Sequence, residues 1–249
     1  MSNLCQTEAK QPKAESGLAA DLSLEQLSGR IGSQGLDREV YLYVVRTISL
    51  GEDGRYVQQG CAPNSDGGRL SLCTCKHLMR SLKPPSAWLG VWIAGFTSVR
   101  LSGQNALFFL MQVGSAYASF RELWLRSGLG PDVLAAKSSR NSGHGDLHEP
   151  LAEDAAEFSP AGYKHPMLGH SHRANENPDL WHTDVNYTNS RTGRHSALLL
   201  GEPRNSFIWT GPRLALQGCG SGGKQRGIGR NHRPLSNLAS LLHQLKELS

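Results

Sequence analysis

The chain has 249 residues, 38% of them hydrophobic, with 28 glycines, 12 prolines and a formal net charge of +5. That length allows one large domain with generous loops. No apolar run approaches the roughly 18 residues needed to cross a bilayer, so no membrane partner is expected. The opening Met-Ser-Asn-Leu-Cys-Gln-Thr stretch has no apolar core of a signal peptide. Cys5, Cys61, Cys73, Cys75 and Cys219 form an odd, scattered set, as expected of reduced thiols in a cytoplasmic protein.

Residues 1–38 are polar and read as a disordered tail carrying one short helix near Ser23, opened by a Ser23-x-x-Gln26 capping box. Tyr41-Leu-Tyr-Val-Val-Arg-Thr-Ile reads as the first core strand, followed by a turn-rich segment over 51–68. Thr74-Cys-Lys-His-Leu-Met-Arg predicts a helix capped by Thr74 and ended before Pro84-Pro85. Strands are predicted over 88–96 and 107–113. Ser119-Phe-Arg-Glu122 then predicts a second capped helix.

Residues 128–195 read as an exposed, irregular excursion. Ala197-Leu-Leu-Leu and Phe207-Ile-Trp resume the strand pattern, and 234–249 reads as an amphipathic helix with Leu235, Leu238, Leu241, Leu242, Leu245 and Leu248 on one face. Regular βαβ alternation is missing. The expected class is therefore α+β: a small mixed β-barrel over 39–233 with short peripheral helices and a C-terminal helix.

Several motifs bear on chemistry. Gly218-Cys-Gly-Ser-Gly-Gly-Lys224-Gln225 approaches a phosphate-cradling loop but lacks the Ser or Thr after the lysine and the helix that must follow. Arg204, Arg213, Lys224, Arg226, Arg230 and Arg233 run without an intervening acid, as either a nucleic-acid-binding loop or a solvated basic loop. Cys73-x-Cys75-x-His77 with the distant His165, His170, His172 and His182 lacks paired zinc-ligand spacing, so no metal and no cofactor are expected. Trp181 sits among polar residues, as a base-stacking ring or as the anchor of a turn. Thr74-Cys75-Lys76, with Arg80, reads as a candidate anion site at a helix start.

The ordered series Tyr41-Leu-Tyr-Val-Val, Gly60-Cys-Ala-Pro-Asn64, Leu72-Cys-Thr-Cys-Lys76 with Arg80, and Gly90-Val-Trp-Ile-Ala-Gly-Phe-Thr97-Ser98 resembles the nucleotide modification associated domain families. Phe207-Ile-Trp and Arg226-Gly-Ile-Gly-Arg230-Asn-His232-Arg233 continue the likeness. Val91 stands where the family has Asp, Cys61 where it has Phe, and Asn231 is inserted before His232. The Gly-x-Trp strand is also similar to pseudouridine-synthase-and-archaeosine-transglycosylase-like barrels. The resemblance implies association with DNA or nucleotide modification systems, often of bacteria and phages.

It further implies DNA or RNA as the partner, or a modified nucleotide. Asn64, Thr74, Cys75, Lys76, Arg80, Thr97, Ser98 and Asp184 would lie at the base, with Trp92 or Trp181 stacked on it. Arg226, Arg230, His232 and Arg233 would hold the backbone. The first expectation is thus a module that recognises a modified or flipped base. The alternatives are an enzyme with Cys75 as nucleophile and Asp184 or His182 as the acid–base group, or a protein-binding component of a defence or mobile-element system. Oligomeric state is left open.

Overall fold

The computed structural model describes residues 18–33, 35–170, 177–217 and 234–248. In chain order the elements are β1 (Ala19–Ala20), α1 (Leu24–Ile31), β2 (Val40–Val44), β3 (Ile48–Leu50), β4 (Tyr56–Gln58), β5 (Ser71–Leu72), α2 (His77–Arg80), β6 (Trp92–Phe96), α3 (Val99–Ser102) and β7 (Leu107–Tyr117). They continue with α4 (Phe120–Arg126), α5 (Pro131–Lys137), α6 (His182–Asn186), β8 (Leu198–Ile208), β9 (Leu214–Leu216), β10 (Pro234–Leu235), α7 (Leu238–Gln244) and β11 (Leu245–Glu247). The class is α+β. Among the described residues no helix is long and apolar enough to cross a membrane.

Two compact units share the chain. The described part of one comprises residues 59–89, 114–170 and 177–200; that of the other comprises 18–33, 35–58, 90–113, 201–217 and 234–248.

The second unit is built on a sheet of order β1-β8-β7-β6-β2-β10. β2 and β6 run parallel, with Val40 opposite Trp92 and Val44 opposite Phe96, and β7 is antiparallel to β6. Val40, Tyr41, Leu42 and Tyr43 are buried at successive positions, so this strand is covered on both faces. Gly95 permits the close packing: a Cβ there would come within 2.1 Å of Phe109 Cε1 and 2.9 Å of Val45 Cγ2.

The sheet stays open, ending in the two-residue edge strands β1 and β10, so the expected barrel does not close among the described residues. Residues 18–33, placed by sequence in a disordered tail, instead form β1 and α1, with Leu27 fully buried. Ser23 and Gln26 make the anticipated capping box. The predicted C-terminal helix is cut short at Gln244, because Leu245 turns into a strand paired with Leu216.

The first unit has few regular elements around an apolar cluster of Cys73, Phe120, Leu123, Leu147, Tyr163, Trp181, Val185, Leu198 and Leu200. Ser119 caps α4 by accepting from the Glu122 amide at 3.1 Å, as its spacing predicts. β5 pairs with the start of β8, Leu72 opposite Leu199. The segment beginning at 128 is not an exposed excursion throughout: it contains α5, and Lys137, Ser138, Ser139, Asp146 and His148 are all buried.

Candidate functional site

In the first unit, buried polar groups gather from four stretches of chain. The first is 61–80. Thr74 does not cap a helix as predicted. Helix α2 is a single turn beginning at His77, preceded by Lys76 in the left-handed region at φ 62° and ψ 37°. Such a conformation is uncommon for a residue with a side chain, and costs about 1 kcal/mol or more. One turn of this kind does not make the expected anion site. It does let near neighbours address a common partner: Cys75 senses the Asp184 charge, and His77 Nε2 meets Asp184 Oδ1 at 2.8 Å.

Arg80 fixes this bend from inside. Its fully buried guanidinium donates to the Cys75 carbonyl at 2.7 Å and to the Ala197 carbonyl at 2.6 Å. A side chain so placed serves the fold and does not reach a nucleic-acid backbone. Burial lowers its pKa, with the neighbouring Cys73, Asp184, Cys75 and Asp146 opposing that fall.

The second stretch is 137–148, where the chain doubles back. Ser139 N donates to the Leu147 carbonyl at 2.8 Å, and Leu147 N to the Lys137 carbonyl at 3.0 Å. Gly145 is required here, since a Cβ would lie 2.3 Å from the Ser138 carbonyl oxygen. The turn carries His148 inward, fully buried, with Nδ1 at 3.0 Å from Ser139 Oγ.

The third stretch brings His170, tied back by Met167 N donating to the Ser139 carbonyl at 2.9 Å and His170 N to the Met167 carbonyl at 3.1 Å. The fourth is α6 with Asp184, anchored by Val185 in the apolar cluster.

The result is compact. One ring nitrogen each of His148 and His170 and a carboxylate oxygen of Asp184 all lie within 4.8 Å of one another. His148 Nε2 is 3.7 Å from Asp184 Oδ2 and makes no hydrogen bond; neither ring nitrogen of His170 makes one. The Gly143 backbone lies near enough to favour the charged form of His170 without reaching hydrogen-bonding geometry. Leaving such buried nitrogens unsatisfied costs about 1–3 kcal/mol each.

Burial alone would push the Asp184 carboxyl up, but the His148 and His77 imidazoles against it outweigh that and hold it at about 2. Burial, and then the neighbouring His148, push His170 down to about 4. The site therefore holds a carboxylate beside a neutral His170 at neutral pH. Trp181 closes one side, its ring 5.2 Å from that of His148.

Beside this lie two thiols. Cys61 is buried, with Sγ 3.1 Å from Thr74 Oγ1, and its pKa is raised, first by its hydrogen bond to Cys75 and then by burial. Cys75 is half-buried, and the hydrogen bond from Cys61 lowers its pKa, with burial and Asp184 opposing and Arg80 and Lys76 assisting. The hydrogen bond between them thus makes Cys75, the more accessible of the two, the more readily ionised sulfur.

The remaining sequence candidates are distributed differently. Asn64 belongs to a separate buried network: it donates from Nδ2 to Asp66 and to the His144 carbonyl, and accepts from Lys137. Trp181 is 4% exposed and Trp92 fully buried, so neither offers a free ring face to a base. Thr97 and Ser98 lie in the other unit. Thr97 Oγ1 accepts from the Ala106 amide at 3.1 Å and Ser98 caps α3, both structural tasks. His182 is more exposed and stands 3.8 Å from Asp179, outside the cluster. Arg226, Arg230, His232 and Arg233 lie outside the described residues.

Sequence reasoning missed His148 altogether. Its signal was His144-x-Asp146-x-His148, an alternation of polar, ligand-capable residues inside a stretch read as solvated.

No family model, curated protein or solved structure matches the chain. Its chemistry therefore has to be read from its own side chains.

Proposed function

We propose that the first unit is a cysteine-centred enzymatic site acting on a modified or extruded nucleobase. The observation that carries this reading is the juxtaposition of Cys75, half-buried and with a lowered pKa, with the His77–Asp184 pair joined at 2.8 Å. A thiolate adds to electrophilic carbon, as at a polarised ring position of a base. An imidazole oriented by a carboxylate delivers the proton to the atom that receives the electron pair, and takes it back when the sulfur leaves. Asp184 holds the His77 ring in place, and Cys61 donates to the nucleophile's sulfur.

The substrate class rests on two further supports. The chain carries a net charge of +5, which favours an anionic partner. Its Leu72-Cys-Thr-Cys-Lys76 segment, which holds the nucleophile, is among the motifs that resemble the nucleotide modification associated domain families. The enzymatic reading is preferred over a passive base-recognition module because both sequence-selected aromatic rings are buried, whereas Cys75 is only half-buried.

The test is alkylation of Cys75 by iodoacetamide across a pH series, read by peptide mapping, with and without base-modified oligonucleotides. Reaction at a pH below that of an ordinary thiol, suppressed by one modified oligonucleotide and absent in Cys75→Ser, is the expected result. An inert Cys75, together with salt-dependent oligonucleotide binding, would replace the enzymatic reading with recognition alone. An inert Cys75 and no binding would remove both.

A further inference from the structure

We propose that His148, His170 and Asp184 form a three-ligand site for one divalent first-row transition metal ion, with coordination positions left open for a water or a substrate atom. The ligand atoms come from 148, 170 and 184, on three separate stretches of chain, yet lie within 4.8 Å of one another. Two imidazole nitrogens and one carboxylate oxygen form a donor set suited to zinc or iron(II), and three protein ligands leave room for a fourth from outside. This inference stands on the histidine cluster and does not depend on Cys75 being a nucleophile.

The independent support is that these nitrogens have nothing else to do. His148 is fully buried and His170 3% exposed, and His148 Nε2 and both ring nitrogens of His170 lack hydrogen-bond partners. An ordinary buried histidine is hydrogen-bonded. Here unsatisfied nitrogens of two histidines converge on a carboxylate instead.

The surrounding groups match what a metal site requires of its supports. Ser139 Oγ, 3.0 Å from His148 Nδ1, can accept a hydrogen bond from Nδ1–H and leave the Nε2 lone pair facing Asp184. His77 occupies the other carboxylate oxygen, Oδ1, at 2.8 Å, which orients Oδ2 toward the histidines. Trp181 against His148 supplies the apolar wall that strengthens charge–ligand interactions.

The experiment uses the full chain, stripped with a chelator and titrated with Zn2+ by calorimetry and with Co2+ by visible absorption. Wild type is expected to bind one ion per chain. His170→Ala is expected to weaken binding by at least about 100-fold, the upper end of what disturbing mere supporting groups costs. Cys75→Ser and His182→Ala are expected to bind as wild type does, and the Co2+ spectrum to lack a thiolate charge-transfer band.

Asp184→Asn, which preserves shape, serves as a second ligand variant should His170→Ala fail to fold. Absence of one-to-one binding in wild type, unchanged affinity in the folded ligand variant, or loss of binding in Cys75→Ser would each overturn the proposal. Binding is read without turnover and Cys75 alkylation without metal, so either inference can fail alone.

Discussion

Lys137 is the residue on which the stability of the first unit should depend most sharply. Its side chain is fully buried, and Nζ donates to the Asn64 carbonyl at 3.2 Å, Asn64 Oδ1 at 2.8 Å and Ser71 Oγ at 2.7 Å. Ser71 in turn donates to Asp146 Oδ1 at 3.0 Å, so the lysine supports a buried carboxyl through one hydroxyl. Burial pushes that carboxyl up to about 6, and the Lys137 charge is the largest influence holding it down.

Lys137→Met keeps the volume but removes the ammonium, leaving the Asp146 charge and the Asn64 oxygens without it. Breaking one side of a buried ion pair costs about 3–5 kcal/mol. For a chain of this size that lowers the melting temperature by roughly 6–20 °C. Adding Asp146→Asn to Lys137→Met should recover about 1–3 kcal/mol, because it removes the stranded charge. The assay is urea denaturation followed by tryptophan fluorescence, since Trp88, Trp124 and Trp181 report on this unit. A Lys137→Met protein within about 1 kcal/mol of the parent would refute the argument that the Lys137 charge holds this buried polar network together.

Other predictions are smaller in scope. Arg80→Met should cost about 3 kcal/mol, because two carbonyls lose a charged donor; an unchanged stability with weakened oligonucleotide binding would return Arg80 to the nucleic-acid interface. Gly145→Ala, forced against the Ser138 carbonyl, should destabilise by more than about 2 kcal/mol and lower Zn2+ affinity by misplacing His148; an unaltered calorimetric titration would count against that geometry. Gly95→Ala should cost about 1–3 kcal/mol and be partly rescued by Phe109→Leu, since the two nearest blocking atoms belong to that ring; no rescue in thermal melts would sink the account. Ser23→Ala should cost about 1 kcal/mol through loss of the α1 cap, visible as earlier hydrogen exchange over Leu24–Ile31.

What the sequence disclosed follows from how local each signal is. The caps at Ser23 and Ser119 and the strands around Val40, Trp92 and Leu107 depend on neighbours within a few residues, and they formed where patterned. The helix predicted at Thr74 shrank to one turn because Lys76 adopts a left-handed backbone that no local propensity announces. The C-terminal helix stopped early because Leu245 found a strand partner in Leu216, a tertiary preference overriding periodicity.

The site was half visible. Cys75 and Asp184 were singled out by residue type, and the structure brings them into electrostatic contact. His148, Lys137 and Asp146 were passed over because polar residues without periodicity read as solvated loop. Burial there comes from the doubling back at Gly145, whose only local trace is an unremarkable glycine.

The hydrogen bond between His77 and Asp184 spans 107 residues of sequence. During synthesis, at about 5–20 residues per second, the segment holding Cys61 and Cys75 waits roughly 5–20 s for its carboxylate partner to be made. For that interval both thiols are on a nascent chain without the framework that shields one and tunes the other. Oxidants present during synthesis therefore meet two unshielded sulfurs, whereas those met after folding find Cys61 buried and only the half-buried Cys75 open to them.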